Sequence, residues 1–199
     1  MSTLDETQLS SERVFEGRFL KINRDRVRLP DGAESFREYV VHPGAAVMVP
    51  IFDDGRILIE RQYRYALRQS FIEVPAGKRD PGEDFFATAQ RELLEETGYE
   101  AREWARMTQL HPAIGFATEV MEIWLCRDLH HRGQQLDEHE FLELEIVSID
   151  WLLAEVLAGR VTDVKTQIVA LWLDRFRSGL WPWPAFQPAT ALSAASVAR

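Results

Sequence analysis

Cysteine occurs once in this chain of 199 residues, at Cys126, which excludes an intrachain disulfide and a zinc site built on cysteine thiolates. Long apolar runs are also lacking. The best of them, YVVHPGAAVMVPIF, is broken by His42, Pro43, Gly44 and Pro50 and falls short of the roughly 18 residues that span a bilayer. The N-terminal stretch MSTLDETQLSSERVFEGR has neither the basic start nor the apolar centre of a secretion signal, so a cytoplasmic protein that does not engage membranes is expected. Positive charge is scarce as well. Lys and Arg number 23 against 32 Asp and Glu, giving a net charge of −9 and a pI near 5.1, which argues against an extended nucleic-acid surface. A small phosphorylated ligand stays compatible with this balance, because a metal ion and a few arginines receive an anion locally whatever the global field.

What is present suffices for one substantial core. At 46% hydrophobic the chain permits a single domain with an appendage. Residues 13 to 41 read as short strands with a turn at Pro30-Asp31-Gly32, an N-terminal antiparallel sheet too small to be stable alone. Three more strand candidates follow in AAVMVPIF, RILIERQYR and SFIEVPAG, with a turn at Asp53-Asp54-Gly55 between the first two. Beyond the central helix come strands near WARMTQLH, EVMEIWLC and LELEIVSI, then helices over about 150 to 159 and 163 to 178. Strand runs around one long helix, with helices at the end, point to an α+β or layered α/β/α domain. The organisation expected is a strand region over 1–43, a main domain over 44–180, and a Pro-, Ala- and Ser-rich tail over 181–199 that is partly disordered.

The richest segment is GKRDPGEDFFATAQRELLEETGY, Gly77 to Tyr99. A turn at Asp80-Pro81-Gly82, acidic Glu83 and Asp84, and a stop at Gly98 predict a helix over 83–97. Phe86, Ala89 and Leu93 form its buried stripe, widened by Phe85 and Leu94. Glu92 and Glu96 stand four residues apart and Glu95 three from Glu92, so their carboxylates converge on one side. Like charges at that spacing cost a few tenths of a kcal/mol per pair in water and more when desolvated, a penalty that a divalent cation reverses. Hard oxygen donors suit magnesium, or manganese as the second choice, and magnesium keeps waters and is completed by substrate phosphates. Arg91, four residues before Glu95 and two turns after Glu83, is placed to orient these carboxylates. The competing reading is a solvated acidic face, the usual meaning of a charge run.

The spacing decides between them. The segment resembles the Nudix box: glycine, five residues, glutamate, seven residues, Arg-Glu, an aliphatic, any residue, Glu-Glu, any residue, glycine, an aliphatic. Gly77, Glu83, Arg91, Glu92, Leu93, Glu95, Glu96 and Gly98 match, and Tyr99 stands where an aliphatic is usual. At ordinary residue frequencies the chance of such a match is on the order of one in a million. The resemblance implies a metal-dependent phosphoanhydride hydrolase with a mixed sheet sandwiched between helices. The flanking segments REYVVHPGAAVMV, ERQYRYALRQSFIEVPAGK, LDEHEFLELE and GRVTDVKTQ are similar to the ADP-ribose pyrophosphatase branch. That branch implies cleavage of ADP-ribose to AMP and ribose 5-phosphate, and a homodimer whose N-terminal sheet helps to build the partner's site. Where the branch commonly carries Pro-Gly after the box, this chain has Ile114-Gly115, which leaves GDP-mannose or another nucleotide sugar as the alternative substrate. A nucleotide-sugar-sensing module without turnover is the alternative outside enzymes, and the intact box counts against it.

Carried over residue by residue, the resemblance implies metal ligation by Glu92 and Glu96 with Glu95 assisting and the carbonyl of Ala76 as backbone ligand, while Glu83 and Arg91 support them. The general base is expected from the later loop, at Glu140 or alternatively Glu138, because a carboxylate bound to a cation is a poor proton acceptor. The alternative for both is a solvated loop. Arg61 and Arg64 are candidates to clamp the diphosphate, although strand alternation turns them to opposite faces unless a bulge intervenes. Arg64 is favoured, against a simple surface ion pair. Glu73 and Arg37 are further candidates, and Tyr39 and Phe116 are candidates to stack on the base, a role weighed against ordinary packing.

Overall fold

The computed structural model describes residues 4–136, 138–139 and 141–197 of the chain, which falls into two units, Met1–Gly44 with His111–Val120, and Ala45–Leu110 with Met121–Arg199. In the first, β1 (Thr7–Glu16), β2 (Lys21–Arg28) and β3 (Glu34–Val40) form an antiparallel meander. The second hairpin closes over the expected turn, where Leu29 N–H donates to the Ala33 carbonyl at 2.8 Å and Gly32 takes the left-handed φ of 89° that a side chain disfavours. β1 begins at Thr7, earlier than the expected start at 13, and its residues are nearly all exposed, so no alternation marks it. Asp25 is buried in this sheet and accepts hydrogen bonds from Gln8 at 2.7 Å and from the Tyr39 hydroxyl at 3.0 Å. The Tyr39 hydroxyl is thus engaged within the sheet. The segment 111–120, expected within the main domain, belongs here: Val40 N–H donates to Phe116 O at 2.8 Å and Thr118 N–H to Val40 O at 2.9 Å.

The second unit is organised around β4 (Ala45–Pro50), buried along its whole length. β5 (Ile57–Arg64) and β6 (Gln69–Glu73) form a hairpin, and β7 (Ala76–Lys78) leads into α1 (Phe85–Thr97). Then come β8 (Tyr99–Leu110), β9 (Met121–His131), β10 (Leu142–Val147), α2 (Ile149–Leu157), α3 (Val164–Arg177), β11 (Gln187–Pro188) and α4 (Ala189–Val197). One sheet has the order β11-β8-β9-β4-β7, mixed because β4 runs parallel to β9, and a second, antiparallel one has the order β10-β5-β6. Alternation along β4 and β9 splits the apolar side chains between two cores. Val47, Val49, Ile123 and Leu125 join Ile57, Ile59, Leu152, Val169 and Leu173 in one core. Ala46, Met48, Trp124 and Cys126 join Phe86, Ala89, Leu93 and Trp104 beneath α1 in the other. The layered α/β architecture expected from the sequence is what forms.

Two boundaries differ from expectation. α1 starts at Phe85, because the Asp84 side chain caps it by accepting from Ala87 N–H at 2.8 Å, and Glu83 is left in the preceding loop. The tail, expected to be partly disordered, carries β11 on β8 and then α4, whose Ala189 and Leu192 pack against the core beneath α1. Among the described residues no helix is long and apolar enough to cross a membrane.

Candidate active site

The loop between β7 and α1 and the outer face of α1 place the box side chains together. Arg91 is their hub. Its Nε and Nη2 donate to the two carboxylate oxygens of Glu83 at 2.8 and 2.9 Å, Nη1 reaches Glu95 at 2.8 Å and Glu92 at 2.9 Å, and Nη2 also donates to the Lys78 carbonyl at 3.0 Å. One guanidinium thus fixes the helix to the strand before it. Those hydrogen bonds from Arg91, opposed by partial burial and helped by the Thr88 hydroxyl at 2.9 Å, hold the Glu83 carboxyl down to about 2. The same contacts, led by Glu83, push the Arg91 pKa above its ordinary value.

Glu92, Glu95 and Glu96 sit at graded depth. Glu96 is 5% exposed, the Glu92 side chain is largely covered, and Glu95 is the most open of the three. Gly77 explains how Glu92 fits. Its φ is not left-handed; what requires glycine is space, because a Cβ there would lie 1.8 Å from the Glu92 carboxyl carbon. Ala76, whose carbonyl is the expected backbone ligand, is the preceding residue of the same short strand.

Among the described residues no three acidic, histidine or cysteine side chains surround one point closely enough to hold an ion by themselves. Arg91 draws Glu92 and Glu95 toward itself. The donor set of hard carboxylates beside a strand carbonyl, with Glu92 seated against the backbone of Gly77, fits a divalent cation that retains water and takes phosphate oxygens.

The loop expected to carry the base is tied to α1 at its root. Gln134 Nε2 donates to the Glu96 carbonyl at 2.6 Å, and Gln135 N–H to the Glu95 carbonyl at 3.0 Å. Gly98, at φ 74°, ends the helix and leaves no room for a Cβ, which would stand 2.6 Å from the Gln134 nitrogen. Further out, Glu138 is exposed with its carboxylate 3.5 Å from His139, and Glu140 lies outside the described residues.

β5 separates the two arginines. Its pairing with β6 runs without a register shift from Glu60 to Arg64, so Arg61 and Arg64 face opposite sides. Arg61 makes a surface contact to Glu145 at 3.2 Å, which departs from a joint clamp with Arg64. Arg64 instead lies bidentate on Glu73, Nε to Oε1 and Nη2 to Oε2 both at 2.7 Å, with 43% of its side chain exposed. Burial raises the Glu73 carboxyl, but the hydrogen bonds and charge of Arg64 and Lys165 outweigh it and the net shift is downward. Arg37 and Phe116 belong to the first unit, where Arg37 pairs with Glu6 and Phe116 is exposed.

Sequence reasoning missed Lys165, Asp163 and Thr166, which meet Glu73 and Val74 from the start of α3. The available signal was a lysine in the first turn of a helix, where the macrodipole disfavours a cation.

Residues 42–170 match the NUDIX domain, and residues 6–40 match the nucleoside diphosphate sugar hydrolase N-terminal domain. The chain is 36% identical to the ADP-ribose pyrophosphatase of Bacillus subtilis (strain 168), over 87% of this chain and 95% of that protein. It is 37% identical to the methanol dehydrogenase activator of Bacillus methanolicus, over 85% of this chain and 93% of that protein. The crystal structure of an ADP compounds hydrolase superposes with a TM-score of 0.77 at 24% identity, covering 90% of this chain and 98% of that one, which bears on the fold. With Glu83, Glu92 and Glu95 of the box gathered around Arg91 and these matches along most of its length, the chain belongs to the Nudix hydrolase family.

Proposed function

We propose that this enzyme hydrolyses the diphosphate bond of a nucleoside diphosphate joined to a second moiety, with ADP-ribose as substrate and AMP and ribose 5-phosphate as products. The observation that carries the hydrolytic reading is the set of Glu92, Glu95 and Glu96 on α1, the first two held by Arg91 and Glu92 seated against Gly77. The choice of ADP-ribose is supported by the similarity to the Bacillus subtilis ADP-ribose pyrophosphatase over nearly the whole chain. Ile114-Gly115 keeps GDP-mannose as the competing substrate.

In this reading Glu92, Glu96, Glu95 and the Ala76 carbonyl hold magnesium, or manganese in its place. Such a cation supplies neutralisation of phosphate charge and a lowered pKa for the attacking water. Arg91, itself held by Glu83, keeps the Glu92 and Glu95 carboxylates in position. Arg64 donates to the diphosphate, Glu73 fixes the plane of its guanidinium, and Arg61 is a weaker candidate because Glu145 already engages it. Glu140 or Glu138 takes the proton of the attacking water, an assignment supported by the anchoring of their loop on α1. Arg37 and Phe116 are kept as candidate substrate-binding residues on the resemblance to the branch alone.

The working form in this reading is a homodimer in the cytoplasm. Phe15 and Phe36 on the three-stranded sheet, with Phe19 and Leu20 in its first turn, support it, since four large apolar side chains gain nothing by exposure to water. The lone, buried cysteine suits a reducing compartment.

The deciding experiment incubates the purified chain and magnesium with ADP-ribose, GDP-mannose, UDP-glucose, NADH and deoxynucleoside triphosphates and identifies products by chromatography. Preferential release of AMP and ribose 5-phosphate is expected. Faster cleavage of another compound reassigns the substrate, and tight binding without cleavage replaces the enzyme by a sensor.

A further inference from the structure

Lysine at position 165 is in the wrong place for the helix that carries it. It is the second residue of α3, where the macrodipole repels a cation, and it is 4% exposed, where an ammonium loses its hydration. Two carboxylates answer that cost: Lys165 Nζ donates to Glu73 Oε2 and, at 3.0 Å, to Asp163 Oδ2. Asp163 is also the helix cap, accepting from Thr166 N–H at 3.0 Å and from the Thr166 hydroxyl at 2.6 Å. The Thr166 hydroxyl oxygen in turn accepts from Val74 N–H at 2.9 Å. The first turn of α3 therefore grips two successive residues of the chain, Glu73 by its side chain and Val74 by its backbone.

Both grips lead to the proposed site. Glu73 occupies the Nε edge of Arg64, so three of the five guanidinium N–H groups remain for an anion on the exposed side. Val74 is two residues before Ala76 and three before Gly77, which abuts Glu92. A buried carboxylate held by one arginine alone would be free to rotate with it. Held also by Lys165, it becomes a fixed anvil against which the guanidinium plane is set.

We propose that Lys165, with Asp163 and Thr166, is a positioning group that fixes Arg64 for the diphosphate through Glu73. This inference rests on the reading of Arg64 as a substrate contact, and its test separates the two.

The test compares the wild type, Lys165→Met, Arg64→Ala and the double variant, using KM and kcat for ADP-ribose and the 15N-detected spectrum of the arginine Nε–H groups. Lys165→Met is expected to raise KM about tenfold, the lower range for losing a contact that orients a binding group, with a smaller change in kcat. It should add nothing on the Arg64→Ala background. The Arg64 Nε–H resonance, assigned by its loss in Arg64→Ala, should shift in Lys165→Met. Multiplying effects, or an unmoved resonance in a folded Lys165→Met protein, overturn the proposal. If the wild type leaves ADP-ribose intact and binds none of it, the substrate reading of Arg64 fails, while the resonance still decides whether Lys165 sets the guanidinium. Should Lys165→Met not fold, Asp163→Asn keeps the cap oxygen and removes one of the two carboxylates on Lys165, and the same resonance should move in the same direction.

Discussion

A methyl group on Gly77 would stand 1.8 Å from the carboxyl carbon of Glu92, a separation no pair of unbonded carbons tolerates. Gly77→Ala therefore forces either β7 or Glu92 to move. We expect a loss of about 1–3 kcal/mol in stability from the overpacking and roughly a hundredfold drop in kcat/KM from misplacing a group by about 1 Å. Denaturant titration and steady-state kinetics on one preparation check both, and a variant as active as the wild type would remove Glu92 from the site.

Glu96→Gln keeps the size of the side chain and removes its charge. Turnover should fall by at least about 100-fold with an unchanged circular dichroism spectrum, as expected when a metal ligand is lost from a folded site. Chelation of divalent ions should abolish wild-type activity and their return restore it. Retention of most activity at saturating magnesium would exclude Glu96 as a ligand.

The Glu83–Arg91 pair makes stability depend on acidity in a defined window. The folded-state pKa of Glu83 is lowered to about 2, chiefly by the Arg91 hydrogen bonds, from an ordinary value of 4.5. A depressed carboxyl contributes stability that is fully present above its unfolded value and is lost as pH falls through its folded value. The stability gap between wild type and Glu83→Gln should be constant near neutrality and shrink between about pH 4.5 and pH 2. Urea midpoints at pH 7, 4 and 3 measure it, and a gap that stays constant across them contradicts the assignment.

Arg64 and Arg61 should respond differently to alanine. Loss of a charge-assisted contact of about 1.5–3 kcal/mol corresponds to roughly a ten- to hundredfold rise in KM for Arg64→Ala. Arg61→Ala removes a surface pair to Glu145, worth under about 1 kcal/mol, and should change KM less than about twofold. A reversal of this order would show that the other face of β5 receives the substrate.

The features legible in the sequence were those written within a few turns of chain. Phe86, Ala89 and Leu93 are buried as their spacing required, and Gly98 ends the helix where a left-handed residue was needed. Alternation correctly warned that Arg61 and Arg64 diverge. An acidic residue suits a first helical turn, which extends the expected helix to Glu83, but the Asp84 side chain caps α1 and leaves Glu83 in the loop. β1 lacked a signal because almost every one of its residues is exposed. The contact of Lys165 with Glu73 joins residues 92 apart in the chain, and no local pattern encodes it. Order in the tail likewise comes from tertiary packing, Leu192 against the core beneath α1, and not from the helix-poor look of its prolines.

Because β4 is buried on both sides, adjacent positions along it belong to different neighbourhoods: Val47 to the core with α2 and α3, Met48 to the core beneath the box helix. Trimming one side chain or the other therefore supplies two local gauges a single peptide bond apart, one sensing the scaffold and the other sensing the floor on which the acidic cluster rests.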